Sequence, residues 1–485
     1  MRILLASSEV HPYSKTGGLA DMTGALAKAL ARAGHQVGMV TPLYRGIREK
    51  FPDLQPFDYQ FDLPLGERTV HADVMTFSPA ANETVYFVNQ PEFYQRATLY
   101  QANGVDFPDN AERFIFFSKC VAHLARYLPW QPEIVHLHDW QTGLVPVLML
   151  DQTIREGWSH APRTCLTVHN LAYQGQFPRA AYELTNLPRE YFTPSGVAAH
   201  GGLNCLKAAL VYANIITTVS PRYAREICTE EYGCGLDAVL RARQAGLRGI
   251  LNGVDYDEWN TQHNPFLPHH FSARNLTGKT LTKLELQREF GLPENAAIPL
   301  FGTVTRLADQ KGMDVMLGAL EEMLAAEMQF VLLGSGSPEF ESAFQLLAHR
   351  HPTKVAVRIG YDQALSHRVE AGCDFFLMPS RFEPCGLNQM YSHRYGTIPI
   401  VRLTGGLDDS VVDLNEDTDL ADGIKFTEYS FRALAKAIRK ALVLYATPRL
   451  LHHFRQNGMN ADFSWTRTTE AYTRAYREAQ SATVI

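Results

Sequence analysis

Arg306 and Lys311 stand five positions apart in Arg306-Leu307-Ala308-Asp309-Gln310-Lys311-Gly312, where an apolar run gives way to a helical pattern. A guanidinium supplies a planar fork and an ammonium a point charge, so the two can converge on one diphosphate. Two solvated surface cations are the plainer alternative. The densest motif is Pro379-Ser380-Arg381-Phe382-Glu383-Pro384-Cys385-Gly386-Leu387, in which a buried run ends in a carboxylate and then a Pro-Cys-Gly turn. At a helix N-terminus Glu383 would accept backbone N–H bonds and stay ionised, which suits holding ribose or sugar hydroxyls and equally suits capping the helix. Thr404-Gly405-Gly406-Leu407 repeats a glycine turn after the next apolar run, and Gly334-Ser335-Gly336-Ser337 reads as a phosphate- or base-binding loop or as a flexible turn.

The first half carries its own set. Lys15-Thr16-Gly17-Gly18-Leu19-Ala20-Asp21 joins the first apolar run to an amphipathic helix. Paired glycines let a backbone approach a ligand closely, and a helix start presents free N–H groups to an anion. His136-Leu137-His138-Asp139-Trp140 could be a metal half-site, but no second Cys or carboxylate cluster recurs at ligand spacing. A strand-end Asp and Trp suit a sugar better, through hydroxyl hydrogen bonds and stacking, or else form a core aromatic beside a cap. His169-Asn170 closes another apolar run, where a neutral imidazole could orient a hydroxyl or polarise an oxygen.

These residues need strands behind them. Short apolar runs at 3–6, 37–41, 134–137, 164–168, 215–219 and 247–251, then at 300–304, 330–333, 355–359, 375–378 and 398–401, predict buried strands. Helical patterns at 19–32, 313–325, 339–349, 431–445 and 467–479 alternate with them. Such alternation predicts parallel sheets covered on both faces, which bind ligands at the carboxyl ends of their strands. A polar stretch with Pro265, Pro268, His269 and His270 suggests a linker near 256–270. The expected architecture is α/β, with two doubly wound Rossmann-like domains, 1–255 and 256–485, facing a central cleft. The last helix, about 465–480, is expected to be able to pack back on the first domain.

Composition narrows the function. The chain has 485 residues, enough for two ordinary domains, with 46% hydrophobic and 20% charged residues. Its net charge of −6 argues against a broad nucleic-acid surface, so an anionic ligand must be held by a few focused cations. Seven scattered cysteines, without CxxC pairs, favour reduced thiols in the cytoplasm over disulfides or zinc. The apolar run at 3–6 is too short for a signal peptide, and no stretch approaches the roughly 20 apolar residues that span a bilayer.

Taken in order, KTGGLAD at 15–21, HLHDW at 136–140, TVHN at 167–170, RLADQKG at 306–312, PSRFEPCGL at 379–387 and TGGL at 404–407 resemble the glycogen synthases of bacteria and the starch synthases of plants, glycosyltransferase family five. The resemblance spans essentially the whole chain. It implies the GT-B fold, with the acceptor glucan on the N-terminal domain and most of ADP-glucose on the C-terminal one. It implies retaining transfer of glucose to the non-reducing end of glycogen or a maltooligosaccharide; no metal or other cofactor is expected, because Lys15, Arg306, Lys311 and helix N-termini would supply the positive field and no Asp/Glu cluster stands ready to hold a cation. On that resemblance Lys15, Gly17, Gly18 and Asp21 approach the diphosphate or sugar, while Asp139, His169 and Asn170 serve the transferred glucose. Arg306 and Lys311 hold the phosphates; Glu383, the Cys385-Gly386-Leu387 backbone and Thr404-Gly405-Gly406 serve the sugar. Lys283 and Asn252 match further donor-site and cleft positions. Related retaining enzymes carry a second Glu eight residues after the first; here that place is Tyr391, so Glu383 is not half of a carboxylate dyad.

Three alternatives bracket this reading. A dinucleotide-dependent oxidoreductase would need GxGxxG after the first strand, with an acid about 20 positions on, and the sequence lacks it. A silent glucan-binding protein would not need the donor-site cations. Another GT-B glycosyltransferase with a different donor or acceptor is the nearest competitor. The choice of ADP-glucose over UDP-glucose rests on the resemblance alone.

Overall fold

The computed structural model describes residues 1–102 and 104–481. The chain divides into two compact units. Unit 1 comprises Met1–Val219, Ala224–Gly253 and the chain from Trp465 onward; unit 2 comprises Ser220–Tyr223 and Val254–Ser464.

Unit 1 is built on a nine-stranded sheet. Its strands are β1 (Arg2–Ala6), β2 (Gln36–Pro42), β3 (Gln55–Leu65), β4 (Arg68–Ala80), β5 (Glu83–Asn89), β6 (Ile134–His138), β7 (Arg163–Val168), β8 (Ile215–Thr218) and β9 (Leu247–Gly249). Their order is β9-β8-β7-β6-β1-β2-β5-β4-β3. All pairings are parallel except β3 with β4 and β4 with β5. Helices on both faces keep water off the central strands, and all five residues of β6 are buried. The order reverses at β1, whose neighbours are β2 and β6, so the β1 and β6 carboxyl ends form a topological switch point. The C-terminal helix Trp465–Ser481 belongs to this unit and buries Tyr472 and Tyr476.

Unit 2 holds a wholly parallel six-stranded sheet. Its strands are β10 (Leu300–Val304), β11 (Gln329–Gly334), β12 (Val355–Ile359), β13 (Phe375–Met378), β14 (Ile398–Arg402) and β15 (Ile424–Phe426), in the order β12-β11-β10-β13-β14-β15. Alternate side chains of one strand enter two different cores. Phe330 and Leu332 join one cluster with Phe301, Phe375 and Met316, whereas Val331 and Leu333 join another with Leu300, Val369 and Phe376. That two-sided burial is why the strand sequences read as continuous apolar runs. Here the switch point lies between β10 and β13.

Two expectations are corrected. Strands β3, β4 and β5, joined to one another by antiparallel pairing, and the short β15 were absent from the expected series. The Phe57-Asp58-Tyr59-Gln60-Phe61 stretch of β3 alternates instead of running apolar, because one face is wet. The stretch 256–270 is no linker: Leu267 is buried with Phe271, Tyr395 and Met459, and Trp259 stacks on Tyr391 with ring centroids 3.6 Å apart. Its prolines shape a packed loop of unit 2. Among the described residues, no helix is long and apolar enough to cross a membrane.

Candidate functional site

In unit 2, three strand-end loops interlock around Glu383. Lys311 ends a short helical turn after β10, and its Nζ donates to Glu383 Oε2 at 2.6 Å. Ser380 Oγ donates to the same oxygen at 3.0 Å. Gly312 has φ +71°, and a Cβ there would stand 2.1 Å from the Pro379 carbonyl oxygen, so glycine lets the first two loops touch. Arg381 N donates to Gln310 O at 2.8 Å, and Asn388 Nδ2 to Val304 O at 2.7 Å. The third loop closes on the second where Gly406 N donates to Glu383 O at 3.1 Å. Gly405 has φ +44°, and a Cβ there would meet that same carbonyl oxygen at 2.0 Å. Thr404, just before it, is fully buried.

Gln389, not expected from the sequence, clips the turn from beneath. Its Nε2 donates to Cys385 O and Gly386 O, each at 3.0 Å, and to Ser410 Oγ at 2.9 Å. The Gly386 and Leu387 N–H groups find no acceptor among the described residues. Arg306 is exposed, and its guanidinium has no carboxylate partner among the described residues. Together these place an unpaired guanidinium, a lysine and open backbone donors on the loops flanking one switch point, an arrangement suited to a diphosphate. The 334–337 loop packs against the first: Leu307 N donates to Ser335 O at 2.9 Å and Ser337 N to Leu307 O at 2.8 Å. A further residue outside the expected set is Tyr361, 75% exposed just past the carboxyl end of β12. An exposed aromatic at a strand end is the signal that could have found it.

Lys283 is a correction. Its side chain is 3% exposed, and Nζ donates to Asp374 Oδ2 at 2.6 Å, Tyr445 OH at 2.9 Å and Ala296 O at 3.0 Å. Asp374 precedes β13 and also accepts from Leu300 N, so the ammonium sits at the amino ends of the strands, where it has no donor available for a nucleotide sugar. Against its own burial, Lys283 and Arg455 hold the Asp374 carboxyl below the usual range. Tyr391, at the place of the second Glu of related enzymes, is occupied in its stack on Trp259.

In unit 1 the glycine loop after β1 hangs from Glu9, a buried carboxylate that sequence reasoning missed. Glu9 accepts from Thr16 Oγ1 at 2.6 Å, Gly17 N at 3.3 Å, Tyr100 OH at 2.7 Å and Thr16 N. Gly17 and Gly18 then open the helix Gly18–Arg32, and nothing lies within 4 Å of a Cβ built on either. Lys15 and Asp21 pair at 2.7 Å with both side chains in solvent. An exposed pair of this kind is worth about 0–1 kcal/mol, so an arriving anion can compete for Lys15.

Asp139 follows β6 with φ +56°, a strained conformation for a residue with a Cβ. The turn brings its Oδ1 to 2.7 Å from His169 N, directly after β7. Burial pushes the Asp139 carboxyl up to about 7, although backbone N–H groups of His169 and Asn170 pull the other way. His169 Nε2 lies 3.1 Å from His138 Nδ1, and burial lowers the His169 imidazole to about 3, leaving it neutral. Asn170 Oδ1 accepts from Ala172 N at 3.1 Å. Asn252, beyond β9, is buried with its Oδ1 unpartnered among the described residues.

Two residues of the HLHDW motif are structural. His136 is buried with Nδ1 2.8 Å from Tyr476 OH and Nε2 2.6 Å from Thr167 Oγ1. The Trp140 ring packs edge-on against Phe114 and Phe177, at centroid distances of 5.0 and 5.6 Å, and does not offer a sugar platform. Among the described residues, no group of three or more His, Cys, Asp or Glu side chains is arranged to hold a metal ion.

Residues 2–242 match the family model described as the starch synthase catalytic domain, and residues 285–460 match that of the group 1 glycosyl transferases. A glycogen synthase of Anaeromyxobacter sp. (strain Fw109-5) is 47% identical over 478 residues, 98% of this chain and 99% of its own length. One from Koribacter versatilis (strain Ellin345) is 44% identical over 487 residues, 99% of this chain and 98% of its own. Among solved structures, the catalytic domain of starch synthase IV from Arabidopsis thaliana, bound to ADP and acarbose, superposes with a TM-score of 0.88. That protein is 33% identical, with 99% of each chain covered.

Proposed function

This chain belongs to the glycogen and starch synthase family, whose members elongate an α-glucan by glucosyl transfer from a nucleotide sugar, and we propose that its donor is ADP-glucose and its acceptor the non-reducing end of glycogen or a maltooligosaccharide. The observation that carries this reading is the Lys311–Glu383 contact at the switch point of unit 2, with unpaired Arg306 on the same loop as Lys311. Arg306, Lys311 and the open N–H groups of Gly386 and Leu387 would hold the diphosphate. Tyr361 offers a face on which the base can stack. In unit 1, His169, Asn170 and Asp139 would serve the transferred glucose, with Lys15, Gly17 and Gly18 near the phosphate or sugar. The relative solved with ADP and acarbose supports a nucleotide and a glucan-like sugar as the ligand pair.

Transfer on this reading retains the α configuration. The bond from the anomeric carbon to the phosphate oxygen breaks as the acceptor 4-hydroxyl oxygen bonds to the same face. The acceptor proton passes to a donor phosphate oxygen, and the cations hold the departing ADP. Glu383, already accepting from Lys311 and Ser380, would orient the sugar instead of attacking it. The seven free thiols, five of them buried, suit the reducing cytoplasm, where we place the enzyme.

The test offers ADP-glucose, UDP-glucose and other sugar nucleotides with glycogen, with and without EDTA, and measures nucleotide release. ADP-glucose should be strongly preferred and EDTA without effect. Preference for another donor would reassign the enzyme within the GT-B glycosyltransferases. Activity lost in EDTA and restored by one metal would reopen the histidine cluster.

A further inference from the structure

His138 ends β6 with no exposed surface, and it is absent from the residues assigned above to the substrate. Its Nδ1 lies 3.1 Å from His169 Nε2, and its own Nε2 is buried without a hydrogen-bond partner among the described residues. The His136 ring sits 4.2 Å away, with both nitrogens already engaged by Tyr476 and Thr167. Burial drives the His138 and His169 imidazoles well below their ordinary range, so both are neutral and one proton lies in the contact between them.

Two arrangements of that proton exist. If it belongs to His169 Nε2, His138 accepts at Nδ1 and must carry its own hydrogen on Nε2, as a buried N–H without an acceptor. If it belongs to His138 Nδ1, the unpartnered atom is a bare ring nitrogen. Orphaned buried N–H groups are rarer than under-used acceptors, so the second arrangement is favoured. The consequence reaches the next ring: His169 accepts at Nε2 and must hold its hydrogen on Nδ1, which has no acceptor among the described residues but, on a half-buried side chain, is not sealed away as His138 Nε2 is.

We infer that His138 is a positioning residue that donates from Nδ1 to His169 Nε2 and fixes His169 as its Nδ1–H tautomer, a neutral donor for an oxygen of the sugar nucleotide. The role toward substrate rests on the proposed transfer reaction. Asp139 fixes the His169 backbone from one side, and His138 fixes the ring and the place of its proton from the other. The resulting imidazole is an oriented N–H, not a base.

The full-length enzyme labelled with 15N-histidine tests this directly by two-bond proton–nitrogen spectra, the His169 signals being assigned by their loss in His169→Gln. Nδ1 should be protonated and Nε2 bare at neutral pH; the reverse overturns the inference. Kinetics provide a second arm. His138→Asn, whose amide nitrogen can stand in for Nδ1–H, should keep kcat within about threefold, while His138→Leu should lose about 10- to 100-fold in kcat with little change in glucan KM. A folded His138→Leu enzyme with unchanged kcat removes the positioning role. If His138→Leu does not fold, the spectrum of the unsubstituted enzyme decides alone. The expected tautomer in an enzyme that rejects ADP-glucose would sink the donor reading and spare this one.

Discussion

Lys311 Nζ and Glu383 Oε2 stand 2.6 Å apart across the switch point of unit 2, on side chains only 20% and 8% exposed. The lysine thus neutralises the carboxylate of the densest motif while belonging to the loop proposed to bind phosphate. Arg306, from that same loop, is in solvent without such a partner. The two cations should therefore fail differently when removed.

Arg306→Ala and Lys311→Ala should each lower kcat/KM by about 2–4 kcal/mol, roughly 30- to 1000-fold, through lost charge-assisted bonds to the diphosphate. Lys311→Ala should also lower the melting temperature, because Glu383 is left buried and uncompensated; Arg306→Ala should not. Steady-state kinetics with a thermal melt of each variant checks both halves. Wild-type kinetics in folded Arg306→Ala would return that residue to the plain surface.

Glu383→Gln should slow turnover without trapping a covalent sugar. The carboxylate is bonded to Lys311 and Ser380, and the place of a partner acid is taken by Tyr391, which is stacked on Trp259. Mass spectrometry of wild-type enzyme with donor alone should show no added hexose. A stable glucosyl adduct on Glu383, or a β-linked product, would establish double displacement instead.

Lys283→Met should cost stability and leave donor affinity alone. It removes one of two cations paired with Asp374, and Arg455 still donates to Oδ1 at 2.6 Å. The expected loss is about 2–4 kcal/mol, toward the low end for a broken buried pair. Denaturant titration reads the stability, and KM for ADP-glucose in the folded enzyme reads the site. A large rise in KM at unchanged stability would restore Lys283 to the donor.

The Asp139 carboxyl, pushed up to about 7, makes stability depend on pH. Its folded value lies above the unfolded one, so its contribution is complete below about pH 4 and is lost as pH rises through about 7. Asp139→Asn keeps an oxygen to accept from His169 N and removes the titration. The variant should therefore gain on wild type across that window, by up to about 4 kcal/mol at the alkaline end. Urea melts of both proteins at several pH values test it; a constant difference would mean that Asp139 does not titrate there.

Much of the site was legible because chemistry clusters at strand ends. Each of β1, β6, β7, β10, β13 and β14 is a short, largely apolar run, and each is followed by a loop that carries candidate site residues. Burial on both faces makes such strands read as unbroken apolar runs, so the loops that follow them could be found without coordinates. The alternating strands β3 and β4 did not announce themselves that way, since their wet face breaks the run. The prolines of 256–270 suggested a break in the chain, but a fixed φ serves a packed loop equally well.

Amino-acid order alone therefore determined the α/β class, the parallel strands and the loops that carry the cations, because these follow from local periodicity and residue chemistry. Partnership was decided only in three dimensions. Lys283 and Lys311 are both lysines near apolar runs, yet one is tied to Asp374 at the amino ends of the strands and the other to Glu383 at the carboxyl ends. Glu9 and Gln389 look like ordinary polar residues until folding brings Thr16 and Gly17 to the first and the Cys385 and Gly386 carbonyls to the second. Buried polar groups must find partners, and the strand order of each sheet determines which are within reach.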